Sequence, residues 1–189
     1  MRIEVTPCGA PTELDRIKVT LIGAPNEHDW LEVKRRACVT AWKRPKTMPD
    51  SEWRHKILEA RHTPIRRLMY SFLIEGIPSN IATHFARHVH AQPYISSLRN
   101  DRQSFTDGDK APRDTPVNMI IDINAEELQV MANKRLCNKA AKTTREVMMR
   151  MCVAAIDATP ELDGLLVPLC VYCGGKCHEM VSCREDMMV

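Results

Sequence analysis

Between residues 86 and 102 the chain reads ARHVHAQPYISSLRNDR, which sets Arg87, Arg99 and Arg102 beside His88, His90, Ser96 and Ser97 in one short run. A guanidinium offers a rigid fork of donors matched to phosphate or carboxylate oxygens, and imidazole adds further donors. With His84 three residues ahead of Arg87, the run has the chemistry of a small-anion site. The same residues also have a plainer reading. Ile81, His84, Phe85 and His88 recur at i, i+3, i+4 and i+7, as on one partly buried helix face whose polar tips find local hydrogen bonds. A zinc pair from His84 and His88 would require a further ligand, and Phe85 stands where a zinc-protease helix carries glutamate.

A second cluster is made of thiols. Cys170, Cys173, Cys177 and Cys183 follow one another closely, together with His178. A CxxC pair with a third cysteine four residues on has the short spacing of tetrahedral zinc sites, yet only one such pair is present, and a reduced tail of packed cysteines fits equally. Cys38 and Cys137 occupy apolar helical positions, which suits small core residues better than nucleophiles. No GxGxxG, Walker loop or GxSxG occurs, so dinucleotide folds of the Rossmann type, phosphate-loop enzymes and serine hydrolases lose their main support.

The 189 residues suffice for one sizeable core, and the expected organisation is one domain over 1–189 with a cysteine-rich tail at about 168–189. An apolar fraction of 44% with 27% charged residues is that of a folded globular chain. A net charge of +3 is too small to imply a nucleic-acid coat, so small anions are the expected partners rather than nucleic acid. No apolar run approaches the roughly 20 residues that span a bilayer. The first residues lack the basic start and apolar stretch of a signal peptide, so no membrane association and a cytoplasmic location are expected, with reduced cysteines.

The elements that must position these groups are partly legible. Residues 2–7 and 17–22 read as short strands. Apolar spacing predicts a helix from Trp30 to Trp42, stopped by Pro45, and a second one capped by Asp50 or Ser51 and running to about Ala60. Residues 68–77 form an apolar, strand-like run, and Pro78 opens the helix that carries His84 and Arg87. Residues 100–118 read as a polar loop, and a long helix is predicted from about Ala125 to Ala158.

RHVHAQPYISSLR closely resembles the signature of the flavin-dependent thymidylate synthases, an Arg-His-Arg triplet followed after seven residues by Ser and, two further on, Arg. Arg87, His88 and Val89 stand in the triplet, and Ser97 and Arg99 follow at that spacing. ARHTPIR at 60–66 is similar to the family's small-residue, His, Ser/Thr, Pro segment, and NAEELQVMANKRLCNKA at 124–140 to its Asn-Ala-x-x-Leu helix with a later arginine, here Arg135. The tail CVYCGGKCHEMVSC resembles that of some members.

The resemblance implies an α+β subunit, with a small sheet packed against long helices, assembled as a homotetramer whose sites lie between subunits. It implies conversion of dUMP to dTMP with FAD, NADPH and methylenetetrahydrofolate, without a cysteine nucleophile. It assigns dUMP binding to His84, Arg87, Ser97, Arg99 and Arg135, with Arg135 catalytic as the cation that stabilises charge on the pyrimidine. Thr63, Arg87, His88, Val89 and Asn124 match FAD-contacting positions. The chain departs from the pattern at Val89, the triplet's third place, at Ile95 in place of glutamate, at Glu126 in place of arginine, and at Val130 in place of asparagine. Lys110 or Arg113 would have to replace a further phosphate-binding arginine. A divergent pyrimidine-modifying enzyme, transferring for example a hydroxymethyl group, and a non-catalytic nucleotide-binding protein are the alternatives on the same scaffold.

Overall fold

The computed structural model describes residues 16–45, 47–101 and 108–183. The expected strand at 2–7 and Arg102 lie outside them. In chain order the elements are β1 (Lys18–Gly23), α1 (Glu27–Thr40), α2 (Ser51–Glu59), a 3-10 turn (Thr63–Arg67), β2 (Met69–Pro78), α3 (Ser79–Ala86) and β3 (Ala91–Ile95). Then come β4 (Pro116–Asn124), α4 (Ala125–Arg135), α5 (Lys142–Ala158) and the short α6 (Leu169–Tyr172), with 3-10 turns at Gly108–Lys110 and Pro160–Leu162.

The four strands form one antiparallel sheet in the order β1-β2-β4-β3. Alternation sets the inner face. Tyr70, Phe72 and Ile74 of β2 and Met119, Ile121 and Ile123 of β4 are fully buried. They join Val33, Leu58, Phe85, Leu128, Met131, Val147, Met148 and Met151 from the helices in one core. Burying a side chain of this size stabilises by roughly 1.5–3 kcal/mol relative to exposure. The Tyr70 hydroxyl donates to Thr159 Oγ1 at 3.0 Å, so the buried phenol keeps a partner. On the opposite face Leu73, Ile120 and Tyr94 lie in register across β2, β4 and β3, and Tyr94 stays 58% exposed.

Side-chain caps mark the starts of α1, α2 and α4. Asn26 and Asp29 form a capping box at the start of α1, and Asp50 Oδ1 accepts from Trp53 N at 2.8 Å to start α2. The expected strands at 17–22 and 68–77 and the first two helices are present within a few residues. The single helix from 125 to 158 is instead two, α4 and α5. The chain leaves helical geometry after Arg135, with Leu136 as the C-cap; in the turn that follows, Ala140 N donates to the Cys137 carbonyl at 2.9 Å and Arg145 Nη1 to the Asn138 carbonyl at 2.7 Å, so these carbonyls are satisfied outside a continuing helix. The polar loop ends at Thr115, because Pro116 and Val117 already pair with Pro78 and Ile77 of β2. β3 had no counterpart in the sequence reading. Pro93 sits within it on the sheet's edge strand, where a missing N–H is tolerated.

Candidate functional site

Four chain segments meet at one end of the sheet. β2 begins there after the Thr63–Arg67 turn, β4 ends there, α4 begins there, and α3 hands over to β3 through Arg87, His88 and Val89. The junction is tied by the Ala125 N–H donating to the Leu68 carbonyl at 2.9 Å and by Asn124 Oδ1 accepting from Glu127 N, also at 2.9 Å, as the N-cap of α4.

α3 stops at Ala86 with Arg87 as its cap, so His88 lies in the following turn rather than on the helix. Its ring still turns inward. His88 Nδ1 is 2.8 Å from Glu127 Oε1, the two side chains being 8% and 9% exposed. Arg135 reaches back from the end of α4, its Nε donating to His88 Nε2 at 3.1 Å and its Nη2 to the His84 carbonyl at 2.6 Å. His84 Nδ1 is 2.8 Å from Thr144 Oγ1 on α5.

These contacts concentrate positive charge. Arg87 is exposed and Arg135 half-buried, and among the described residues neither is paired with a carboxylate. Burial, and then the like charge of Arg87, push the Arg135 pKa down. Burial holds His84 below the usual imidazole range, with Arg135 and Arg87 adding to the effect. His88 is also lowered, chiefly by burial; Glu127 pulls it up and Arg135 pulls it down. The result is two guanidinium groups beside two imidazoles that favour the neutral form, an arrangement suited to an anion or to charge developing on a ligand.

The residues singled out by sequence divide into two groups. His84, Arg87, His88, Asn124 and Arg135 come together here, with Val89 exposed on the rim and Thr63 exposed on the neighbouring turn. Ser97 and Arg99 do not. Ala91 pairs with Ile123 at this end of the sheet, whereas Ser96 N donates to the Asn118 carbonyl near the other. At about 3.3 Å per residue the strand carries Ser97 roughly 20 Å from Ala91. There Arg99 is held by Asp101, its Nε and Nη2 lying 3.0 and 3.2 Å from the two carboxylate oxygens, and its N–H donates to Ser97 Oγ at 3.2 Å. Lys110 and Arg113 belong to the segment just ahead of β4.

Several contributors were not visible beforehand. Glu127 could have been suspected from Asn124-x-x-Glu127, a capping pattern, but nothing in the sequence links it to His88. Thr144 carries no signal at all. Arg66 pairs with Glu126 across the turn and α4, and Arg61 binds Gln129 Oε1 and Asn133 Oδ1 on α4 at 3.1 and 2.6 Å while stacking on Tyr172, 4.3 Å from its ring centre.

The thiols are arranged differently from the sequence reading. Cys38 and Cys137 are half-exposed rather than core, because both lie near helix ends; Cys152 of α5 is the buried one. Cys137, Cys170, Cys177 and Cys183 line a small cleft of about 150 Å³ with His178 and Glu179. Among the described residues, no three Cys, His, Asp or Glu side chains are gathered closely enough to hold a metal ion. Nor is any helix among them long and apolar enough to cross a membrane.

No family model and no curated protein sequence matches the chain. Solved structures do. Thymidylate synthase X (ThyX) from Helicobacter pylori, crystallised with FAD and dUMP, superposes with a TM-score of 0.62 at 17% identity, over 79% of this chain and 97% of that one. A second structure of the same flavin-dependent enzyme, also complexed with FAD and dUMP, gives 0.58 at 18% identity, over 72% and 93%. The chain therefore has the ThyX fold, a small antiparallel sheet packed with helices.

Proposed function

We propose that this chain is a flavin-dependent thymidylate synthase that methylates dUMP to dTMP, using FAD, NADPH and methylenetetrahydrofolate. The observation that carries the proposal is Arg135, a half-buried guanidinium fixed by His88 and the His84 carbonyl and left without a carboxylate partner among the described residues. For C5 of uracil to attack a one-carbon unit, negative charge must be stabilised on the ring oxygens and N3, and a preorganised cation does this without reorganising at the moment of reaction. Arg135 supplies that charge. Arg87, at the end of α3 and on the solvent side, is placed for the nucleotide phosphate.

The residues facing the junction fit a flavin. Thr63 and Arg87 offer exposed donors, and Val89, 87% exposed, offers an apolar surface on which a planar ring system can rest. FAD held there would supply the reducing equivalents, while the chain's own groups bind and orient. His88 contributes rigidity to the site through Arg135, and Asn124 through its cap on α4.

Ser97 and Arg99 enter this reading from a second subunit. Their distance from Arg135 within one chain supports sites built between copies, and the sheet face with Leu73, Ile120 and Tyr94 in one row, which no helix among the described residues covers, supports a homo-oligomer, a tetramer in this reading. The test is an absorbance spectrum of the purified protein with and without FAD and dUMP, followed by product analysis. A flavin spectrum that changes on adding dUMP, together with dTMP formation from dUMP, methylenetetrahydrofolate and NADPH, is expected. A colourless protein that takes up no FAD overturns the proposal.

A further inference from the structure

We infer that Glu127 is a positioning residue for Arg135, acting through the ring of His88. The inference rests on the reading of Arg135 as the cation that meets the pyrimidine. A guanidinium can only donate, so the Arg135 Nε–H at 3.1 Å requires a lone pair on His88 Nε2. The neutral ring then carries its hydrogen on Nδ1, 2.8 Å from Glu127 Oε1, and the carboxylate accepts it. The other tautomer would oppose two N–H groups on one side and a lone pair to a carboxylate on the other. Both neighbours therefore select the same form of the ring.

Glu127 is itself fixed. It is 8% exposed, and its backbone N–H is held at 2.9 Å by the N-cap Asn124. It lies two turns before Arg135 on α4, so one helix presents both ends of the relay and His88, from the turn before β3, bridges them. The guanidinium is held a second time by the His84 carbonyl, which accepts from Nη2 at 2.6 Å, and this leaves Nη1 uncommitted among the described residues. Protonating His88 would put a donor on Nε2 and break the Arg135 contact. The charged groups that act on the ring are Glu127 and Arg135, while Arg87 acts on Arg135 and on His84. A carboxylate at 127 thus holds the imidazole in the tautomer that holds the arginine, much as carboxylates orient metal-binding histidines.

The test compares the full-length wild type with Glu127→Gln and Glu127→Ala, using nitrogen-proton correlation spectra of the His88 ring, calorimetric dUMP titration and turnover. In the wild type the Nδ1–H tautomer is expected. In Glu127→Ala that preference is lost and kcat falls about 10- to 100-fold with a smaller change in dUMP affinity, by analogy with the loss of the carboxylate that orients a metal-bound histidine. Glu127→Gln, which keeps the shape and an acceptor, is expected to fall between, and it carries the test if the alanine variant does not fold. An unchanged tautomer and unchanged kcat in a folded variant overturn the inference. A wild type that neither binds dUMP nor turns it over overturns the reading of Arg135 on which the inference rests, while the ring spectra still report separately whether Glu127 selects the tautomer.

Discussion

Arg66, in the turn before β2, closes a two-armed ion pair on Glu126 in the first turn of α4, its Nη2 lying 3.3 Å from Glu126 Oε1 and its Nε closer still to Oε2. The resemblance to the flavin-dependent family leads one to expect arginine at position 126; here a carboxylate stands there and the guanidinium beside it comes from the turn. The carboxylate also suits the positive end of the α4 dipole.

This pair predicts a charge-swap result. Arg66→Glu alone sets two carboxylates together and is expected to lower stability only slightly, since the arginine is exposed and solvent screens the pair. The double variant Arg66→Glu with Glu126→Arg should recover most of that loss, less a few tenths of a kcal/mol for arginine at a helix N-terminus. It should also keep FAD affinity, because a guanidinium remains at the junction. Urea melts and FAD titration of the three proteins check both points; a double variant as weak as the single one would show that the pair is not what matters.

Acidification should weaken the fold in two separate windows. His84 and His88 are both held below the ordinary imidazole range in the folded state, chiefly by burial. The unfolded chain therefore takes up protons first, from about pH 6.5 downward, so stability is fully present above that pH and falls as pH drops towards the folded-state values. Glu27 and Glu32 act in the same sense but in a lower window: hydrogen bonds from Arg54 and from Arg35 and Arg36 hold them below 4.5, so their contribution is lost only at more acid pH. Denaturation midpoints measured from pH 7.5 to 5.5 should decline, and less so in His88→Asn. A flat profile would mean that neither ring is held neutral.

How much of this was readable in the sequence depends on whether the cause was local. The β2 strand, the Asp50 cap of α2 and the α3 residues His84 and Arg87 follow from periodicity and capping, which are written in neighbouring positions. The position of His88 came from assuming that the helix continued; the turn moved its backbone, yet burial against α4 brought the ring to Arg135 all the same. The separation of Ser97 from Arg135 was invisible, because a motif only eleven residues long between Arg87 and Ser97 spans a strand and hence the length of a sheet. Glu127, Thr144 and Arg66 entered through tertiary pairing alone, and α4 ends at Arg135, the residue that reaches back to His88 and the His84 carbonyl, contacts that no short window shows.

Gly76 predicts a backbone effect. It has φ of 70° at the point where the β2–β4 register shifts between Ile74 and Ile77, and its N–H donates to Asn118 Oδ1 at 3.0 Å. A Cβ there would come within 2.8 Å of the Arg16 carbonyl oxygen. Gly76→Ala therefore meets both an unfavourable left-handed conformation and a main-chain clash, and a loss of about 1–2 kcal/mol or more is expected. Thermal or urea unfolding checks it, and a neutral outcome would mean that the segment relaxes to another register.

The thiols give the last prediction. Burial in α5 pushes the Cys152 pKa up to about 12, so almost none of it is thiolate at pH 8, and the thiolate is the reactive form. Cys38, Cys137, Cys170, Cys173, Cys177 and Cys183 are partly exposed. Brief iodoacetamide treatment of the native protein, followed by peptide mass mapping, should modify those six and spare Cys152 until denaturant is added. The four cysteines proposed from spacing as zinc ligands, Cys170, Cys173, Cys177 and Cys183, are the informative ones. They border one cleft, or flank it in the case of Cys173, without three ligands converging among the described residues. Their labelling is expected to be the same with and without a chelator. Protection that a chelator removes, together with stoichiometric zinc by metal analysis, would mean that the tail closes around a metal in solution and would restore the zinc reading of its spacing.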